Sequence, residues 1–252
     1  TLYDDDCDLK EFVKTNTKLA AITLASNLTG QIVFSSALAE KLKALGLTVF
    51  VDASQGAGKK LLDMQRDCID VLAFTGHKDL LGLPGVGGLC SVNNLRITPL
   101  IQGGTGIYGD SYVNPEAFPE SYEAGTLNMP AIWALKNAVE YINEHISEMN
   151  KTESGLTQYL VKSMTALPNV IVYNADKPRV STLAFNVKGK SSSDVVALLD
   201  KNGICVRGGI HCAILAHETL GTVKSGAVRV SMNSYNTKDE IDAFIKVIGG
   251  IN

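Results

Sequence analysis

The chain has 252 residues, 45% of them hydrophobic and 19% charged, with a formal net charge of -3. That is enough chain for a large core and suits one big domain plus a smaller one. The near-balanced charge, without a Lys/Arg block, argues against nucleic acid or an anionic membrane surface as partner. No apolar stretch approaches a membrane span, and the acidic start "TLYDDDCD" is the opposite of a secretory leader. We therefore expect a cytoplasmic protein with a small-molecule ligand.

The chain opens without methionine and soon enters a strand, Leu19–Leu24, so it is expected to be a piece of something longer. A helix is expected in "SSALAEKLKALGL", where Leu38, Leu42 and Leu45 share a face and Gly46 supplies the stop. Strands are expected at Thr48–Val51, running into Asp52, and at Ile69–Phe74, with "GVGGLCSV" following a Gly/Pro turn. Alternating strands and helices argue an α/β sheet, which binds ligands at its strand ends.

From Met129 to about Leu167 the pattern is helical, with a softer polar stretch at Asn150–Thr152. The remainder reads as a second, α+β unit. Its strands are expected near Val170–Tyr173, Thr182–Val187, Ile204–Arg207 and Ala227–Met232, with helices at Ser193–Asp200 and from Thr237, where Glu240 completes a capping box. The expected organisation is 1–128, a connecting helix 129–150, and 151–252.

Polar clusters terminate three of these strands: Asp52–Gln55, Thr75–Lys78 and Arg207–Cys212. The apolar run before Lys78 places that lysine at the edge of a core and not on an open surface. Enclosure lowers an amine's pKa, freeing it to form a Schiff base with an aldehyde such as pyridoxal phosphate. That cofactor also needs a carboxylate on its pyridine nitrogen, which Asp52 would supply. By composition and spacing the plainer readings stay open: a turn aspartate, and a lysine whose head reaches water. Five cysteines, odd in number and without CxxC spacing, favour neither disulfides nor zinc. Cys7 is one of them; Cys68 and Cys90 suit buried structural thiols, and Cys205 sits in an apolar stretch.

The ordered motifs "VDASQGAG", "LAFTGHKDLLGLPGVGGL", "PLIQGGTG", "YEAGTLN", "RGGIHCA" and "VRVSMNSYNT" resemble the class V aminotransferase superfamily of fold-type I pyridoxal-phosphate enzymes. Within it the likeness is to cysteine desulfurases and selenocysteine lyases, from Ile22 to about the C-terminus. The resemblance implies part of a large α/β sheet domain followed by a small α+β domain. It also implies that Lys78 binds the cofactor and moves protons, that Asp52 pairs with the pyridine nitrogen, and that Gln55 meets the phenolic oxygen. Thr75 and His77 match the phosphate-binding pair, with Thr75 where many relatives have serine. Asn27 and Arg229 match the groups that hold the substrate carboxylate, and a planar guanidinium suits that task. Thr126 matches a threonine reaching the phosphate of the neighbouring subunit, which implies a homodimer.

Cys212 resembles the desulfurase nucleophile that takes sulfur from L-cysteine as a persulfide, leaves L-alanine and passes the sulfur to an acceptor protein. Arg207 and His211 are expected to favour its thiolate. Selenocysteine lyase, or another class V activity, is the alternative enzyme reading. The sequence departs from the family at Ile210–Leu215, where many relatives read "HHCAQP", and no histidine precedes Asn27 to stack on the cofactor ring. The chain thus looks like the C-terminal two-thirds of an enzyme, and a truncated, catalytically impaired scaffold is the alternative from outside enzymes.

Overall fold

A computed structural model of the chain describes residues 8–92, 95 and 97–251. Cys7 and most of the acidic start lie outside the described residues. Strands β1 (Leu19–Thr23), β2 (Thr48–Asp52), β3 (Val71–Thr75) and β4 (Gly87–Ser91) form one sheet in that order. The first three are parallel and β4 runs antiparallel to β3. Helix α1 (Ser36–Ala44) starts on the Ser35 side chain, which accepts from Leu38 N–H, and buries Leu38, Ala39 and Leu42 against Val49 and Val51. Gly46, at φ 78, ends it in the left-handed conformation that glycine takes without strain.

Helix α2 (Met129–Thr165) is 37 residues long and runs unbroken through Asn150–Thr152. It leads to a second sheet built from β5 (Val170–Val172), β6 (Thr182–Val187), β7 (Arg207–Gly209) and β8 (Ala227–Ser231), in the order β5-β6-β8-β7 and antiparallel throughout. Helices α3 (Ser192–Lys201) and α5 (Lys238–Gly249) cover it, and the short α4 (Ile214–Thr219) lies between β7 and β8. Leu160 and Met164 of α2, Phe185 of β6 and Phe244 of α5 share this core, the two phenylalanine rings meeting edge to face at 5.8 Å. Each such side chain, fully buried, contributes about 1.5–3 kcal/mol. The capping box of Thr237 and Glu240 is formed at the start of α5.

Three expectations need correction. Strand β7 begins at Arg207, because Ile204 and Val206 pack against the core below α3 and pair with no strand, while the ladder to β8 starts with Arg207 opposite Arg229. Cys205 is exposed and outside any strand. Cys90 is exposed as well, on β4, where the neighbouring Leu89 is exposed on the opposite face. Among the described residues no helix is long and apolar enough to cross a membrane.

The two sheets are joined by backbone. Ile32 N–H donates to Pro178 O (2.8 Å) and Val180 N–H to Gly30 O (2.9 Å). Gly30 has φ 74, and a Cβ there would stand 2.2 Å from the Thr182 carbonyl oxygen. Gly30→Ala combines left-handed strain with a clash against backbone, and is expected to cost at least about 2 kcal/mol in urea unfolding. A change under about 0.5 kcal/mol, the usual size for an indifferent surface site, would show that the close approach carries no weight.

Asp67 ties the loop before β3 to α1. Its carboxylate accepts from Arg66 Nε (3.0 Å) and Nη2 (2.9 Å), from Ser36 Oγ (2.8 Å) and from Asp63 N–H (2.9 Å). The Arg66 hydrogen bonds, more than the others, hold this carboxyl well below the usual carboxylate range. A depressed carboxylate stabilises the fold in full above its unfolded value of about 3.9, and that contribution fades as pH falls toward the folded value. Asp67→Asn should therefore cost about 1–3 kcal/mol at pH 7, a gap that closes on acidification below about pH 4. Arg66 is more than half exposed, so added salt should shrink the gap. Urea unfolding across pH reads this directly; a gap independent of pH would refute the assignment.

Candidate active site

The parallel strands β2 and β3 end side by side, and each delivers a polar residue to the same edge of the sheet. Asp52, the last residue of β2, is exposed and its Oδ1 accepts from Ser54 N–H (2.9 Å), so the turn that follows fixes the carboxylate. Gln55 follows in that turn, half-buried. Thr75 ends β3, and its hydroxyl is 2.8 Å from His77 Nδ1. Lys78 stands in the next turn, closed by Leu81 N–H to Lys78 O (2.9 Å) and Gly82 N–H to Gly76 O (2.8 Å).

Asn27, Asp52, Gln55, Lys78 and Cys212 line one open cavity of about 1110 Å3. Lys78 is exposed, contrary to the expectation of a core-edge position. The apolar run that suggested enclosure stops at β3, and the lysine lies beyond it in a turn facing the cavity. Thr75, His77, Thr126 and Arg229 do not line this cavity. Thr126 is exposed in the loop before α2.

The loop after β7 and helix α4 supply another part of the wall, through Cys212, Ala216 and Thr219, and the second sheet stands behind them. Arg229 on β8 donates through Nη1 to Asn27 O (2.8 Å), and Asn27 Nδ2 donates to His211 O (2.7 Å). This chain of two bonds fixes the relation between the loop after β1, the strand β8 and the Cys212 loop. Arg229 Nε is buried without a partner. Burial pushes the guanidinium below its usual pKa, and Arg207 directly opposite on β7 adds to the effect. A desolvated cation facing a like charge calls for an anion.

His211 and Cys212 both have positive φ, 55 and 56, a conformation costly for side chains with a Cβ and concentrated at functional sites. The pair of left-handed residues turns the exposed Cys212 into the cavity. His211 is buried; its Nε2 meets Ala227 O (3.0 Å), and burial, more than any other cause, lowers its pKa. Burial thus disfavours the charged form of the imidazole that precedes Cys212. His217, for which the sequence carried no expectation, is fully buried on α4, hydrogen-bonded to Thr222 Oγ1 (2.7 Å), with its ring stacked on His211 at 6.1 Å. Recognising a helix immediately after Cys212 would have turned His217 inward, but Ala213 gives that helix no capping side chain to announce it.

These residues fit pyridoxal phosphate. The cavity wall offers an amine, a carboxylate and an amide, with a hydroxyl–imidazole pair on the adjoining turn, and Arg229 is tied to that wall through Asn27.

Comparison with known proteins agrees with this chemistry. The profile of the family described as Aminotransferase class-V matches residues 4–244. A probable cysteine desulfurase of Methanothermobacter thermautotrophicus is 33% identical over 241 residues, covering 92% of this chain and 60% of that protein. A cysteine desulfurase of Wigglesworthia glossinidia brevipalpis is 30% identical over 250 residues, covering 96% and 60%. Among solved structures, the apo cysteine desulfurase of Thermococcus onnurineus NA1 matches with a TM-score of 0.82 and 33% identity, over 92% of this chain and 59% of that one. An Escherichia coli cysteine desulfurase in its S-sulfonic acid form gives 0.85 and 29%, over 95% and 60%. The chain spans about 60% of the length of the curated relatives it matches. With its parallel sheet, antiparallel second sheet and strand-end site, the chain belongs to the class V aminotransferase family of fold-type I pyridoxal-phosphate enzymes.

Proposed function

We propose that the protein acts as a pyridoxal-phosphate-dependent cysteine desulfurase, converting L-cysteine to L-alanine and handing the sulfur, as a persulfide, to an acceptor protein for iron–sulfur or other thio-cofactor assembly. The observation that carries this reading is the convergence of Lys78, Asp52, Asn27 and Cys212 on one cavity. Pyridoxal phosphate, when bound, supplies an aldehyde and an electron-accepting ring. Lys78 would bind that aldehyde through its amine, and Asp52 would hold the proton on the pyridine nitrogen. Gln55 would bond the phenolic oxygen, and Thr75 with His77 would hold the phosphate. Arg229 and Asn27 would orient the substrate carboxylate, leaving the α-proton to the freed Lys78 amine. The Cys212 thiolate would attack the substrate sulfur: an S–S bond forms, the C–S bond breaks, and its electron pair leaves with the carbon to be protonated.

The same reading takes 1–128 as part of the large domain, 129–150 as a connecting segment and 151–252 as the small domain; the two separate sheets support it. It takes the active unit as a homodimer, with Thr126 serving the cofactor phosphate of the other subunit. Thr126 is exposed away from its own cavity, and Leu100, Ile101, Tyr112 and Val113 in the segment before it expose large apolar surfaces. A cytoplasmic setting suits the four free thiols among the described residues.

Adding pyridoxal phosphate to the chain should produce a visible absorbance band, and borohydride should then fix the cofactor on Lys78 in a peptide mass map. An adduct on another lysine, or none, would sink the cofactor assignment. In the intact enzyme, Cys212→Ala should lower L-cysteine turnover by about a hundredfold or more. Retained cleavage of selenocysteine by that variant would favour selenocysteine lyase, and undiminished cysteine turnover would remove Cys212 from the chemistry.

A further inference from the structure

Lys59, in the loop after β2, is a buried lysine outside the site described above, with about 10% of its side chain exposed. Its ammonium lies 3.2 Å from Asp79 Oδ1, 2.9 Å from Glu153 Oε2 on α2 and 2.9 Å from Met232 O just past β8. It also donates to Ser181 Oγ at the entry to β6. The second oxygen of Glu153 accepts from Ser234 N–H at 3.1 Å. One cation thus joins the residue next to Lys78, the middle of α2 and both central strands of the second sheet.

The contact with Asp79 is double. Gly58, at φ 90, lies so close that a Cβ would stand 2.3 Å from the Asp79 carbonyl oxygen. Backbone packing and charge both hold the residue that follows Lys78. On the opposite side, Met232 belongs to the continuation of β8, the strand of Arg229. A cluster of two carboxylates and one ammonium, with Lys59 and Glu153 each about 10% exposed and Asp79 about 23%, is poor as a mere filler, because an apolar side chain of the same volume avoids the desolvation. Burial raises the Asp79 carboxyl despite the pull of Lys59, so the pair is held in place against an electrostatic cost.

We propose that Lys59 is a positioning residue for Lys78, its ammonium fixing the Lys78 turn against the sheet that carries Arg229. This rests on the reading of Lys78 as the cofactor lysine and Arg229 as the carboxylate binder. Removing the charge leaves both residues present and changes where they stand relative to each other.

The test uses wild type, Lys59→Met, Lys59→Ala, Asp79→Asn and Lys78→Ala. The reduced pyridoxal-phosphate adduct at Lys78 is followed in time by peptide mass. Amide hydrogen exchange of peptides 75–82 and 228–234 is measured without pyridoxal phosphate. Lys59→Met and Asp79→Asn should melt cooperatively, slow the adduct by about tenfold, and exchange faster in both peptides. Ethylammonium should restore Lys59→Ala. Exchange in both peptides equal to wild type overturns the proposal. So does faster exchange spread evenly over the chain with no rescue by ethylammonium, the mark of general destabilisation. If wild type forms no adduct at Lys78, or Lys78→Ala labels as wild type does, the cofactor reading fails, and the exchange measurements still decide whether Lys59 holds the two segments together.

Discussion

The backbone pairing of residues 30–32 with 178–180 is the constraint on which the site depends. The strand ends of the parallel sheet present an amine and a carboxylate, and the antiparallel sheet presents a guanidinium and a thiol. Neither half makes a reaction centre. The pairing brings Asn27 to Arg229 and His211, so that a loop after β1 reads the position of β8 and of the Cys212 turn in two hydrogen bonds. Gly30 makes this possible because only a residue without Cβ lets the loop lie against the Thr182 carbonyl.

Electrostatics divides the molecule differently from secondary structure. The group formed by Arg207, Arg229 and the buried His211, behind the cavity wall, is short of negative charge, whereas the Lys59 cluster has a surplus of it. The first has no carboxylate partner among the described residues. The second is paired within itself. Both lie at the junction of the two sheets, where the dielectric is low enough for unpaired charge to be costly.

Much of this was legible in the sequence. Apolar periodicity located α1, α2, β2 and β6 to within a few residues, and Thr237 with Glu240 announced the start of α5, because each signal is local. Of the residues the resemblance pointed to, Asn27, Asp52, Gln55, Lys78 and Cys212 line the cavity, and Thr75, His77, Thr126 and Arg229 do not. What escaped was non-local. Lys59, beside Lys60 in "GAGKKLL", reads as a solvated surface lysine, and its partner Ser181 is 122 residues away. The exposure of Lys78 escaped because an apolar run reports the strand it builds and not the turn beyond it. Strand β7 began late because hydrophobicity marks burial at Ile204 and Val206, while a ladder also requires a neighbour.

Helix α2 has a consequence of its own. At about 1.5 Å per residue, its 37 residues make a rod about 55 Å long. Its one proline, Pro130, lies in the first turn, where it leaves the helical hydrogen bonding intact. Bending such a rod would open backbone hydrogen bonds. Glu153, well inside this rod, engages Lys59 of the loop after β2 through one oxygen and the Ser234 N–H beyond β8 through the other. One carboxylate on an unbroken helix thus stands in contact with both halves of the molecule, the loop after β2 and the segment after β8.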